Sequence, residues 1–435
     1  VKPIVVVGAG LSGLAAAVAL VSARHPVVLL EQKPTPGGRA VSFVDAPTGT
    51  EVDNGQHILI AGYDATLSLL RTLGTDSLLD IQPTPRLVLH HPERGLRALN
   101  FPPLPSPLHL LAGVLGSDLF PGPAKREVLR AGLSLLRVRA SSLAGMTVGA
   151  WLDTVGQSAD TRATFWDPLA VAIMNEHTAA ASASVFVRSM QQAFLRSRRS
   201  AALAIPRVGL SQLFAQPAVR FVQDRGGVVR LGCGVAEVTL RDRTTTAVVL
   251  RDGTVMDCGA AILAVPTHDL ADLLPPALRS DPALAAAASF PLSPIVSIHL
   301  WFDGEVMVEP MIGVVGRTIE WIFRKPGYVS AVISAAHEEV GWTNERLAET
   351  ALADLRAVVG ARAGTPKRSL VIREKRATIS LTPSVESARP DSRTGVSNLF
   401  LAGDWTATGL PATLEGAVVS GRRAAQLALE EAGRG

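Results

Sequence analysis

Ile4-Val5-Val6-Val7-Gly8-Ala9-Gly10-Leu11-Ser12-Gly13 is the stretch on which the fold turns. Four consecutive β-branched residues read as a central strand of a parallel sheet, buried on both faces. In the G-x-G-x-x-G that follows, each glycine has its own task. Gly8 permits the tight turn, Gly10 lets backbone approach a pyrophosphate, and Gly13 lets helix pack onto strand. The alanine- and leucine-rich run 14–23 is the helix such a turn opens, with free N–H groups and a positive dipole end for phosphate. Residues 26–31 form a second strand ending in Glu31, whose carboxylate can accept hydrogen bonds from a ribose diol. With strand, turn, helix, strand and acid in this order, the segment is a dinucleotide-binding βαβ unit.

The far end carries a matching signal. Asn398-Leu399-Phe400-Leu401-Ala402 is another apolar strand, followed by Gly403-Asp404 and a helix over about 414–432. Between 223 and 266 short β-rich runs alternate with turn signals, above all Asp252-Gly253, as in hairpins or a meander. Residues 347–359 read as an amphipathic helix. Residues 99–123 differ from all of these: six prolines, many leucines and little charge apart from Asp118. Nucleotide-fold signals at both ends with a different middle imply an α/β protein of two interleaved domains. A Rossmann-like domain is expected from 1–85, 205–275 and 395–435, and an α+β substrate domain from 86–204 and 276–394.

Composition narrows the function. At ~150 residues per domain, 435 residues suit two or three domains. The 47% hydrophobic and 18% charged content argues against disorder and coiled coil. Lys+Arg 42 against Asp+Glu 38 leaves +4, too little for a dedicated nucleic-acid binder yet compatible with an anionic membrane surface. Two cysteines, Cys233 and Cys258, make no disulfide framework, and no C-x-x-C suggests a metal, so a reducing cytosolic compartment is expected. No apolar run reaches the ~18 residues of a membrane span. The apolar start resembles a secretory leader only until the glycines that follow it are read.

Which dinucleotide is bound follows from a resemblance. Gly37-Gly38-Arg39 resembles the second signature of the flavin-binding amine oxidase and phytoene desaturase superfamily, and Gly234-Val235-Ala236-Glu237-Val238 its adenine-side strand. Leu401-Ala402-Gly403-Asp404 and Glu415-Gly416-Ala417 resemble its ribityl-side and pyrimidine-side elements. The resemblance implies FAD, with Arg39 near the pyrophosphate, Val235 at the adenine, Asp404 at the ribityl chain and Gly416 at the flavin ring. Asp53-Asn54-Gly55-Gln56-His57, Trp166-Asp167-Pro168, Asn175-Glu176, Gly316-Arg317-Thr318 and Glu374-Lys375-Arg376-Ala377-Thr378 are similar to blocks of hydroxysqualene dehydroxylases, as is Ala402-Gly403-Asp404-Trp405-Thr406. That narrower resemblance implies removal of the hydroxyl of hydroxysqualene to give squalene, in hopanoid synthesis. Two departures separate the chain from amine oxidases. Ala412, Thr413 and Leu414 stand where those enzymes commonly carry an aromatic, and the strand 295–300 lacks their lysine.

Replacing an allylic hydroxyl by hydrogen needs an acid for the leaving oxygen and a hydride for the carbon. His57 is the first candidate acid, because an unperturbed imidazole titrates near neutrality. Glu415, at a helix start whose dipole favours its charged form, is the second. Gly55 belongs to the same flavin-side loop as His57; Asp167, Glu176 and Trp405 are candidates for structure or cavity lining. Expected partners are hydroxysqualene, an unidentified flavin reductant and the inner face of the cell membrane. Residues 99–120, Leu110 and Leu111 among them, are either a membrane entrance or a buried cap, with Arg196, Arg198 and Arg199 as possible headgroup anchors. The competing readings are a carotenoid-type desaturase, an amine oxidase and a non-catalytic isoprenoid-lipid binding protein.

Overall fold

The structure, a computed structural model, describes residues 1–433. Ile4–Val7 (β1) and Val27–Leu30 (β2) lie side by side in a five-stranded parallel sheet, whose order is Val228–Arg230, β2, β1, Ala260–Leu263, Leu399–Leu401. Strands from both ends of the chain and from its middle therefore meet in one sheet. Each face is apolar, as a parallel sheet requires. Ile4, Val6, Leu29, Ile262 and Phe400 pack under helix α1 (Leu11–Ser22) and the C-terminal helix Leu414–Ala432. Val5, Val7, Leu30, Leu263 and Leu401 join a second core on the other side.

Helix α1 begins earlier than the alanine-rich run suggested, because Gly10 is its N-cap and Gly13 already lies in its first turn. A Cβ on Gly13 would stand 1.9 Å from the Gly8 carbonyl oxygen, so only glycine lets the helix sit this close to the strand. Gly421 does the same between helices: a Cβ there would meet the Ser12 carbonyl oxygen at 2.0 Å.

The 223–266 region divides by function. Its first and last strands enter the parallel sheet, while Val235–Arg241, Thr244–Leu250 and Val255–Asp257 form an antiparallel three-stranded sheet. The turn at Asp252-Gly253 has Gly253 at φ 86°, the left-handed region that glycine enters at no steric cost.

The rest of the molecule is built on a seven-stranded sheet, ordered Arg368–Ile379, Leu292–Trp301, Tyr328–Ile333, Trp321–Lys325, Met311–Val314, Arg86–His91, Gly95–Asn100. Its outer face, with Val296, Ile298, Leu300, Ile322 and Ala331, is covered by helix Asn344–Val359 through Leu347, Ala351 and Leu355. Its inner face, with Leu89, Trp321, Phe323 and Val332, belongs to the same core as Val5, Val7 and Leu401 of the parallel sheet. Trp151, Trp166 and Phe186 from the intervening helices complete that shared core. One continuous apolar interior thus welds the two sheets together.

The antiparallel hairpin of β3 (Ser42–Asp45) and β4 (Thr50–Asp53) packs against the seven-stranded sheet. Arg368 pairs with Asp45, and Trp301 Nε1 donates to Thr50 Oγ1 at 3.3 Å. The proline-rich stretch turns helical between its two groups of prolines. After the strand ending at Asn100 it forms helix α3 (Leu108–Gly116), and α4 (Gly122–Arg137) follows the helix α2 (Asp64–Leu73) and α3 in chain order. Within α3, Leu111 faces outward, whereas Leu110 packs against the core, because neighbouring positions on a helix point about 100° apart.

Candidate active site

The two glycine signatures fold against each other. Gly37 N–H donates to Ala9 O at 2.8 Å, and a Cβ on Gly38 would stand 3.0 Å from Gly10 Cα. Gly8, at φ 102°, would drive a Cβ to 2.4 Å from the Ala264 carbonyl oxygen, so this turn tolerates no side chain. Gly10 is different: a Cβ there meets nothing within 4 Å. That open space lies at the N-terminus of α1, where no side chain caps the helix and no acid occupies the first turn. The N–H groups of the first turn, which have no intrahelical partner, are left for an anion.

Glu31 sits beside this turn. Its Oε2 accepts from Ala9 N–H at 2.7 Å and its Oε1 from Lys33 N–H at 2.9 Å. Cys233 N–H donates to Glu31 O at 2.8 Å, which sets Gly234 and the buried Val235 alongside the end of β2. These are the residues that would hold the adenosine half of a dinucleotide. Opposite them, the Arg39 guanidinium grips Asp404 through Nη2, at 2.8 Å from both carboxylate oxygens, and donates through Nη1 to Ala377 O. Residues from the two ends of the chain, expected to touch separate parts of the cofactor, are thus each other's partners. Gly403 precedes Asp404 because a Cβ there would strike the Trp405 indole, whose Nε1 donates to Val265 O at 2.9 Å.

Between these halves runs the loop 53–57. Asp53 Oδ1 accepts from Ser42 Oγ at 2.8 Å and from Leu210 N–H at 2.9 Å, and Lys325 Nζ lies 3.4 Å from Oδ2. Both members of this ion pair are nearly buried, at 10% and 6% exposure. Asn54 Nδ2 donates to Glu374 Oε2 at 3.2 Å, tying the loop to the seven-stranded sheet. A Cβ on Gly55 meets nothing within 4 Å. Burial pulls His57 down from its ordinary 6.5 to about 4; Asp53 opposes the shift, while the Arg39 and Lys325 cations add to it. A midpoint this low favours the neutral imidazole near pH 7, in which one ring nitrogen still carries an N–H to donate.

Glu415 is buried at the start of the C-terminal helix. Its Oε1 accepts from Ala65 N–H at 2.9 Å, and its Oε2 from Thr66 N–H at 2.8 Å and Thr66 Oγ1 at 2.7 Å. With three donors aimed at it, this carboxylate acts as an acceptor that fastens the C-terminal helix to the first turn of α2. Gly416 follows it at the helix start, where its N–H donates to Thr413 Oγ1 at 3.3 Å. Asn175 Nδ2 donates to Thr378 Oγ1, which ties two of the quoted blocks together, while Thr178 Oγ1 donates to Asp167 and Ser380 Oγ to Glu176. Arg317 does not join them; it pairs with Asp354 on the sheet's outer helix.

Sequence reasoning missed Lys325. A lysine was sought on 295–300, whereas the buried lysine lies on Trp321–Lys325, two strands away in the sheet. Its partner came into view only when the hairpin was folded over that strand. Among the described residues no group of three His, Cys, Asp or Glu could hold a metal ion, and no helix is long and apolar enough to cross a membrane.

A Rossmann-like parallel sheet with an open, uncapped glycine turn, joined to a second sheet, defines a dinucleotide-binding protein. The family model for flavin containing amine oxidoreductases matches residues 11–429. The chain is 32% identical to hydroxysqualene dehydroxylase of Sinorhizobium fredii over 99% of both chains, and 33% identical to that of Rhodopseudomonas palustris over 98% of both. Its fold is that of an oxidoreductase from Methanosarcina mazei, with a TM-score of 0.76 at 17% identity over 98% of this chain and all of that one. The chain belongs to the hydroxysqualene dehydroxylase family of the flavin-containing amine oxidoreductases.

Proposed function

We propose that the chain reduces hydroxysqualene to squalene at the inner face of the cytoplasmic membrane, with electrons from a separate reductant. The observation that carries this reading is 32% and 33% identity, over nearly the full length, to two relatives so named, laid over a site whose open glycine turn suits FAD. Residues 1–85, 205–275 and 395–435 hold the cofactor, and 86–204 and 276–394 shape the substrate side. The N–H groups opening α1 bind the pyrophosphate and Glu31 the ribose, with Gly8, Gly10, Gly13 and Gly38 keeping the backbone close. Val235 backs the adenine, Arg39 lies near the pyrophosphate and Asp404 at the ribityl chain, and Gly403, Gly55 and Gly416 border the flavin.

Bound reduced flavin supplies the hydride. The chain's own residues handle the oxygen. As the carbon–oxygen bond breaks, the leaving oxygen would take the N–H proton of His57, which regains one from solvent at its other ring nitrogen, so that the oxygen departs as water. Neutral His57 donates an N–H hydrogen bond to that oxygen, while Lys325 and Arg39 supply positive charge beside the forming anion. Among the described residues His57 has no hydrogen bond within the protein, so its ring is free for this task. The apolar interior excludes water from the carbon as positive charge develops there.

His57→Ala tests the assignment. The variant is expected to keep its flavin and to slow squalene formation by roughly 10²–10⁴-fold, the range for a lost proton-handling group. Near-normal turnover removes His57 from the chemistry.

A further inference from the structure

Helix α3 has its polarity turned inside out. Its nine residues contain one polar side chain, His109, and that one is 1% exposed, edge-on to Phe101. Leu108, Leu111 and Leu115 recur at i, i+3 and i+7, and they stand 52%, 43% and 52% exposed. A helix facing water directs polar residues outward; this one directs leucine. Leu104 ahead of it and Leu133 and Leu136 on neighbouring α4 are exposed as well. These six are most of the exposed leucines among the described residues, a concentration rather than the ordinary scatter.

The charge around them is equally uneven. Residues 94–139 hold seven Lys and Arg against two Asp and Glu, a surplus of five, although the whole chain has a surplus of only four. The remainder is slightly acidic, so the basic excess is gathered here. Lys125 Nζ donates to Leu115 O at 2.7 Å and Arg198 Nη1 to Pro103 O at 3.2 Å, placing cations at the rim of the leucine patch. Along α4, Arg126, Arg130, Leu133 and Arg137 form one exposed stripe.

We infer that α3, the turn before it and the exposed stripe of α4 form a docking surface for an anionic lipid bilayer. Leu108, Leu111 and Leu115 enter the acyl region, and the arginines meet lipid phosphate. A second copy of the chain fits worse, since two such rims would set like charges together. The inference deepens the reading of a bilayer-resident substrate and rests on it only for its purpose, because the surface itself is tested without substrate.

Flavin-loaded protein is floated with vesicles of phosphatidylcholine alone or containing phosphatidylglycerol. The wild type is expected to float with the phosphatidylglycerol vesicles and to be released by salt. Leu108→Gln/Leu111→Gln/Leu115→Gln should weaken binding by about tenfold or more, and so should Arg126→Gln/Arg130→Gln/Arg137→Gln on the anionic vesicles. Full flavin content and an unchanged Tm certify folding; Leu104→Gln/Leu133→Gln serves as the second variant if the first fails to fold. Wild-type protein that ignores anionic vesicles, or variants that bind like wild type, overturns the inference. So does a leucine variant that merely converts a dimer to a monomer. Squalene formation from detergent-dispersed substrate is scored separately, so loss of the enzymatic reading and loss of the docking surface are distinguishable.

Discussion

Burial does most to depress His57, and Lys325 adds a smaller contribution of the same sign. Its ammonium faces Asp53, and both, with Arg39, act on the imidazole. Lys325→Met removes a cation that disfavours imidazolium and leaves the Asp53 carboxylate, which favours it. The midpoint of His57 is therefore expected to rise from about 4 toward its ordinary 6.5, read from the pH profile of squalene formation. A profile that does not move contradicts the assigned electrostatics. Folding stability follows the same sign. Because folded His57 titrates below 6.5, the unfolded chain binds the additional proton as pH falls from about 6.5 to about 4, and this residue's contribution to stability falls with it. Gly10 offers a cleaner residue-scale test. A Cβ there meets nothing within 4 Å, so Gly10→Val is expected to fold, which an unchanged Tm checks. It fills the space where a pyrophosphate approaches backbone, and the purified protein is expected to lack flavin absorbance. Normal flavin content with valine in place moves the cofactor elsewhere.

Helix termini do much of the positioning. The start of α1 is left bare for a ligand, while the start of α2 is closed by Glu415 from the other end of the chain. Glu415→Gln replaces one acceptor oxygen with an amide and should cost about 1–3 kcal/mol of stability, seen as a lower Tm. Turnover per bound flavin should stay close to wild type, in contrast to His57→Ala. A collapse of turnover at unchanged Tm makes Glu415 a participant in the chemistry after all. The sequence showed that Glu415 opens a helix but not what it touches, since Ala65 and Thr66 lie some 350 residues away. Helix α3 was ambiguous for a related reason. A run of leucines broken by one histidine reads equally as core or as exposed face, and only the packing of His109 and Gly113 inward reveals which side is out.

At the scale of the molecule, the readable parts were those ruled by local sterics. Gly8, Gly13 and Gly37 are dictated by backbone approaching backbone, and the β-branched runs at 4–7 and 399–401 announce a buried parallel sheet. Partnerships across the chain were not readable: Arg39 with Asp404, Asp53 with Lys325, and the core shared by both sheets arise only when distant segments meet. That shared core joins the two sheets, and in the proposed reaction it would keep hydride donor and acid in one frame. The direction of electron flow is the central claim. It is tested by incubating flavin-loaded protein anaerobically with hydroxysqualene, with and without a chemical flavin reductant, and identifying the product. Squalene should form only with reductant, one equivalent per two electrons delivered. Squalene formed without reductant, or a more unsaturated product formed as oxidised flavin is bleached, would contradict it.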